Sequence, residues 1–247
     1  MIEKEHPENN NQAYHIAKAQ TRRYGSGMNA IQKKQRSTRA RSLIRLLKKH
    51  YSDASMILRY SNHWELLVAV MLSAQCTDKK VNDVTKRLFV KYRTLDDYIN
   101  ADMQEFEQDI FSTGFYKNKT KNILGSARMV RDTYSGVLPN TMSDLLTLPG
   151  VARKTANVVL GNAFGIVEGI AVDTHVRRFA IRFDLSDHTD PVRIEKDLMN
   201  IMPRRYWFLF TYLVIAYGRS VRSAHVFDPL LPAFPGALQR WILVGKK

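Results

Sequence analysis

The sequence predicts an all-α fold, and three observations carry that reading. From Ser37 onward apolar residues recur at helical spacing, no stretch alternates apolar and polar residues as a half-buried strand would, and cap residues stand where the periodic segments begin. Residues 1–36 differ from the rest: they are polar, carry the amide run from Asn9 to Gln12 and lack apolar periodicity. They read as a flexible basic arm, either a solvated tail or a phosphate-binding one. Leu43, Leu46, Leu47 and Tyr51 then form one apolar stripe, Trp64, Leu67, Val68, Met71 and Leu72 a second, and Val81, Val84, Leu88 and Tyr92 a third. At Thr94 with Asp97, and at Thr141 with Asp144, a hydroxyl is placed to cap free N–H groups while a carboxylate sits near the positive helix end. Asp190 before Pro191 marks a further start, because proline suits the first helical position. Pro139, Pro149, Pro203, Gly114, Gly125 and Gly136 are expected to punctuate the helices. After Arg222 the chain turns rich in proline and apolar residues, which predicts an irregular segment packed on a helical surface and a short final helix near residues 239–244.

Charge points to a polyanionic partner. The 247 residues hold 38 Lys and Arg against 23 Asp and Glu, a formal charge of +15, while 45% hydrophobic and 25% charged residues are ordinary globular usage. Between Glu8 and Asp53 no acidic residue occurs, yet eleven Lys and Arg accumulate there, from Lys18 to Lys49. The single cysteine, Cys76, excludes an intrachain disulfide and any site built from several thiolates, and reads as a small buried filler. No segment approaches the roughly 18 to 20 apolar residues of a membrane span. The expectation is an intracellular protein that avoids membranes, in the cytoplasm or nucleoid if the source is bacterial.

The most informative stretch is residues 141–164, two helical patterns separated only by Leu148-Pro149-Gly150-Val151-Ala152. Pro149 stops the first helix and Gly150 permits a sharp reversal. In the second helix Ala156, Val159, Leu160, Ala163 and Phe164 form the buried stripe, with Lys154 and Val158 off it. So tight a hairpin gathers free N–H groups on the surface, where they bind phosphate without reading sequence. A plain core corner would not explain a lysine in the first turn, where the helix dipole is positive. A lysine there should lose its proton more readily, as a Schiff-base nucleophile must. Asp173, at the end of the apolar run 170–172, reads alone as a helix cap. Paired with Lys154 it becomes a candidate for accepting the amine proton or for stabilising positive charge on a sugar.

Four segments resemble the endonuclease III family of helix-hairpin-helix DNA glycosylases: LSAQCTD (72–78), GFYKNK (114–119), LPGVARKTANVVLGNAFG (148–165) and AVDTH (171–175), with near-constant spacing from Leu43 to Gly218. The resemblance implies a two-lobed fold: a six-helix barrel over residues 56–167, containing the hairpin at 141–164, and a second helical domain joining 37–55 with 168–247. It implies a bifunctional enzyme that removes oxidised pyrimidines from double-stranded DNA and cleaves the abasic site by β-elimination. By motif position Lys154 resembles the nucleophile and Asp173 its carboxylate partner. Gln75 resembles the residue that fills the hole left by the extruded base, and Phe115 an apolar wedge beside it. Filling that hole offsets the few kcal/mol that extrusion costs. Lys119, Gly150, Val151, Ala152, Arg153, Thr155 and His175 are the further expected DNA contacts, His175 reading otherwise as a structural or capping residue. A monofunctional relative would use activated water and need no Lys154, and a non-catalytic DNA-binding module would need neither Lys154 nor Asp173.

The chain departs from the family in one respect. Many members hold a [4Fe-4S] cluster on four cysteines near the C-terminus, and this chain has none there. The expectation is a monomeric, metal-free enzyme needing no cofactor, in which Phe227, Leu230, Leu231, Phe234 and Trp241 pack where the cluster loop would lie. Ala152 stands where a second hairpin glycine is frequent, a change tolerated if its φ is negative.

Overall fold

The structure is a computed structural model that describes residues 28–223, 228–234 and 236–237. The described residues form helices and turns and no strand. Among them, no helix is long and apolar enough to cross a membrane. In chain order the helices are α1 (Ala30–His50), α2 (His63–Leu72), α3 (Asp78–Lys91), α4 (Leu95–Ile99), α5 (Met103–Ile110), α6 (Tyr116–Tyr134), α7 (Met142–Leu145), α8 (Arg153–Ala163), α9 (Thr174–Arg182), α10 (Pro191–Ile201) and α11 (Trp207–Ser223). The starts at Thr94, Thr141 and Asp190 are those expected: each side-chain oxygen accepts the N–H three residues on, Thr94 closes a capping box with Asp97, and Pro191 opens α10.

Two apolar cores organise the chain. Residues from Leu58 to Ala171 build one around α2, whose positions 65–72 are buried on every side rather than along a stripe. The second unites Ala40 to Leu47 of α1 with residues 170–237, so both ends of the described chain meet in one lobe.

Three local expectations are corrected. The arm was expected to run to residue 36, but α1 begins at Ala30, behind an Asn29 cap that forms a capping box with Gln32. The apolar pattern hides this turn because Ile31 is 71% exposed while the core-facing position is Arg36, paired with Asp184 at 3.1 Å and Asp187 at 2.7 Å. Residues 1–27 lie outside the described residues. Gly125 does not end a helix: it lies inside α6, where even an added Cβ would meet Pro149 of the hairpin only at an ordinary contact distance of 3.5 Å. Val158, expected off the buried stripe, is 7% exposed and belongs to the first core.

The C-terminal segment packs on the second lobe through Leu230, Leu231 and Phe234, with the Phe234 ring edge-on to Phe183. Beneath it lies a buried charge network that sequence patterning did not reveal. Arg182 pairs with Asp228 at 2.7 Å, both side chains 5% exposed, and Tyr217 donates its hydroxyl to the same carboxylate. Phe227, Trp241 and the helix expected over 239–244 lie outside the described residues.

Candidate active site

The hairpin folds as its residues dictate. Gly150 takes φ +76°, and a Cβ there would meet Asn122 Nδ2 at 2.6 Å, so only glycine fits without displacing that side chain. Ser126 donates its hydroxyl to the Pro149 carbonyl at 3.0 Å, tying the turn to α6. Ala152 is extended at φ −93°, so its methyl group is tolerated, and as the N-cap of α8 it offers no side-chain acceptor. No side chain therefore caps the first N–H groups of α8, which suits them to an outside anion. Lys154 is the second residue of this helix and half-buried.

The same helix is the seam between the lobes. Asn157 donates to Glu195 of α10 at 2.9 Å, Asn162 donates to the Tyr212 hydroxyl of α11 at 2.6 Å, and Gly161 admits the Phe208 ring where any Cβ would collide with it. These contacts fix Lys154 relative to the second lobe, where Asp173 sits. Asp173 ends the buried run Ile170–Val172, which Thr211 of α11 pins by donating to the Ala171 carbonyl at 3.1 Å. Its Oδ1 accepts the Val176 N–H at 2.8 Å, so Asp173 is the N-cap of α9 as well as a cleft residue.

Between the lobes runs a cleft of about 1100 Å³. Gln75 and the loop around it line one side, Lys154 and Val158 the middle, and Asp173, His175 and Tyr212 the other. The volume lies just above the roughly 300–1,000 Å³ of small-molecule sites, ample for a nucleoside turned out of a helix. Burial pushes the Tyr212 hydroxyl up to about 12, so it stays neutral and serves as a hydrogen-bonding wall rather than a base. Across the cleft mouth Arg219 of α11 pairs with Asp78 in the first turn of α3. Sequence reasoning missed that bridge, since 141 residues separate its partners and only the position of Asp78 at the end of LSAQCTD hints at it.

The structure thus gathers Lys154, Asp173, Gln75 and His175 about one cavity and leaves the other expected contacts outside it. His175 packs against Gly218, where a Cβ would strike its ring. Phe115 is 62% exposed and stands apart from the cleft lining. Gly150 and Ala152 are exposed at the hairpin tip, and Thr155 is half-buried beside Lys154. Three expectations fail in their simple form. Lys119 is no phosphate contact: it is 6% exposed, and its amine donates to the carbonyls of Leu72 at 2.8 Å and Thr113 at 2.9 Å. Arg153 is not a wholly free cation: its Nε donates to Glu195 at 2.6 Å, while the side chain stays 37% exposed. Val151 is buried and its N–H donates to the Leu148 carbonyl, so it shapes the turn instead of meeting phosphate.

Comparison with known proteins agrees with the fold. Residues 68–204 match the family described as HhH-GPD superfamily base excision DNA repair protein. Endonuclease III of Synechocystis sp. is 50% identical over 192 residues, 78% of this chain and 86% of the relative. A non-covalent endonuclease III–DNA complex superposes with a TM-score of 0.72 at 46% identity, covering 74% of this chain and 86% of that one. A trapped endonuclease III–DNA covalent intermediate, an estranged-adenine complex, gives the same TM-score at 45% identity over the same shares. The chain belongs to the endonuclease III family, within the HhH-GPD superfamily of base excision DNA repair proteins.

Proposed function

We propose that the cleft is the active site of a bifunctional DNA glycosylase and abasic-site lyase in which Lys154 is the nucleophile and Asp173 its partner. The observation that carries the reading is the placement of these two side chains, from different lobes, on one cavity. A neutral Lys154 amine attacks C1′ of an extruded nucleotide, and the bond to the base breaks as the base leaves. Ring opening then gives an imine between Nζ and C1′. Loss of a C2′ proton expels the 3′ phosphate, and water releases the sugar from the enzyme. Asp173, anchored as a helix cap, accepts the amine proton or stabilises the cationic sugar without moving. The substrate is double-stranded DNA bearing an oxidised pyrimidine or an abasic site, and the enzyme acts as a monomer. Gln75 fills the vacated stack and Phe115 wedges beside it, while the hairpin tip and the uncapped start of α8 hold the backbone.

A four-thiolate cluster does not fit this chain. Its one thiol, Cys76, lines the cleft in the first lobe, whereas the segment where the cluster would lie is held by Leu230 and the Arg182–Asp228 pair. No step above uses a metal.

Borohydride trapping on a duplex with one thymine glycol tests the reading. Wild type should form a covalent adduct and Lys154→Gln none, with duplex affinity held within a few-fold. An adduct that persists in Lys154→Gln would transfer the nucleophile role to another amine.

A further inference from the structure

Lys119 is the cation that the chemistry leaves over. Burying an ammonium costs several kcal/mol, so its site must gain from the two hydrogen bonds the amine makes. Their acceptors are specific. Leu72 is the last residue of α2, three positions before Gln75, and Thr113 closes the 3-10 turn Phe111–Thr113, two positions before Phe115. Gln75 and Phe115 in turn share an unusual backbone: both lie in the left-handed region, at φ 52° and 50°, although neither is a glycine. Such strain costs on the order of 1–2 kcal/mol per residue and persists only where the surroundings impose it. One amine therefore ties together the roots of the two loops whose tips are strained. Asn122 and Ser126, on the same face of α6 as Lys119, support Gly150 and the Pro149 carbonyl of the hairpin. A single helix face thus indexes all three loops that meet the DNA.

We propose that Lys119 is a positioning residue that sets the separation of the Gln75 and Phe115 loops, so that both side chains enter the duplex together when the base is extruded. The inference rests on the reading of Gln75 and Phe115 given under Proposed function. It is tested by comparing Lys119→Met, which keeps the stem and removes both donors, with wild type on two probes. One is a duplex with a single thymine glycol, which must be unstacked; the other is a single-stranded oligonucleotide with one abasic site, which needs no extrusion. Displacing a positioned group by about 1 Å costs up to about 100-fold, so single-turnover cleavage of the duplex should fall roughly 10- to 100-fold while cleavage of the single strand stays within about threefold. Lys119→Gln, whose amide nitrogen keeps two N–H donors but on a shorter, uncharged stem, should fall between. Equal losses on both probes, no loss on either, or failure of both variants to fold would overturn the proposal. Gln75→Ala and Phe115→Ala separate the two readings: each should show the duplex-selective loss. If they do not, the wedge reading itself fails; if they do while the Lys119 variants do not, only the role of Lys119 is lost.

Discussion

Asp228→Ala is the sharpest test of how the second lobe is held. In the native protein the carboxylate accepts from Arg182 and from the Tyr217 hydroxyl, each at 2.7 Å, and from the Leu230 N–H at 3.0 Å. With both ion-pair side chains 5% exposed, solvent cannot replace what is removed. Truncation removes the carboxylate that pairs with a buried guanidinium, a loss of about 3–5 kcal/mol. For a protein of this length each kcal/mol lowers Tm by about 2–4 °C, so Tm should drop by roughly 6–20 °C. Differential scanning calorimetry on wild type and variant measures it. Replacing both partners, Arg182→Met with Asp228→Leu, should recover most of the loss, because an apolar pair of similar volume leaves no charge stranded. A drop under about 2 °C in the single variant, or a double variant worse than the single, would refute the argument that this pair secures the C-terminal segment.

The remaining predictions address the hairpin, the strained loops and the tyrosines. Gly150→Ala should cost about 1–2 kcal/mol for the left-handed φ and more if Asn122 cannot yield, weakening duplex affinity and Tm together; an unchanged affinity would remove the turn from DNA binding. In Phe115→Gly the relief of strain and the added freedom of the unfolded chain should nearly cancel, leaving Tm within a few degrees while cleavage of duplex lesions falls. Full retention of that cleavage would deny Phe115 a role. Burial, and then the hydrogen bond to Asp109, push Tyr92 up to about 12, and burial does the same for Tyr212. Because the folded values are raised, their stabilisation is complete below the ordinary value near 10 and is lost as pH rises through about 12. Phenolate absorbance should therefore lag that of the unfolded chain, and native tyrosines all titrating together near 10 would contradict it.

The all-α fold was legible because it rests on local rules, the apolar period and the caps at Thr94, Thr141 and Asp190, and Lys154 and Asp173, singled out by their places at helix starts, do line one cleft. What stayed hidden was the partner of each cation. Arg36 meets Asp184 across 148 residues and Arg153 meets Glu195 across 42, and Lys119 ends on backbone carbonyls that no side-chain pattern marks. Residues of one chemical type thus divide into those left at the surface and those bracing the fold, a division set by tertiary contact alone. Phe115 shows the converse, since a large aromatic side chain stands exposed on a strained turn.

That division does not weaken the electrostatic reading of the +15 charge. Each one-to-one ion pair removes one charge of each sign, so the pairing of cations with acids leaves the excess of the whole sequence in place. Binding to duplex DNA should still fall steeply with salt, and the slope reports which cations release counterions, at about 0.9 per phosphate neutralised. Lys119 and Lys121 make the contrast clean, because they are two residues apart on α6, one buried and one exposed. Lys121→Gln should lower the slope of log affinity against log salt by about 1, and Lys119→Gln should leave it unchanged even where it slows duplex cleavage. Equal slopes in the two variants would mean that exposure on this helix does not decide which lysine meets phosphate.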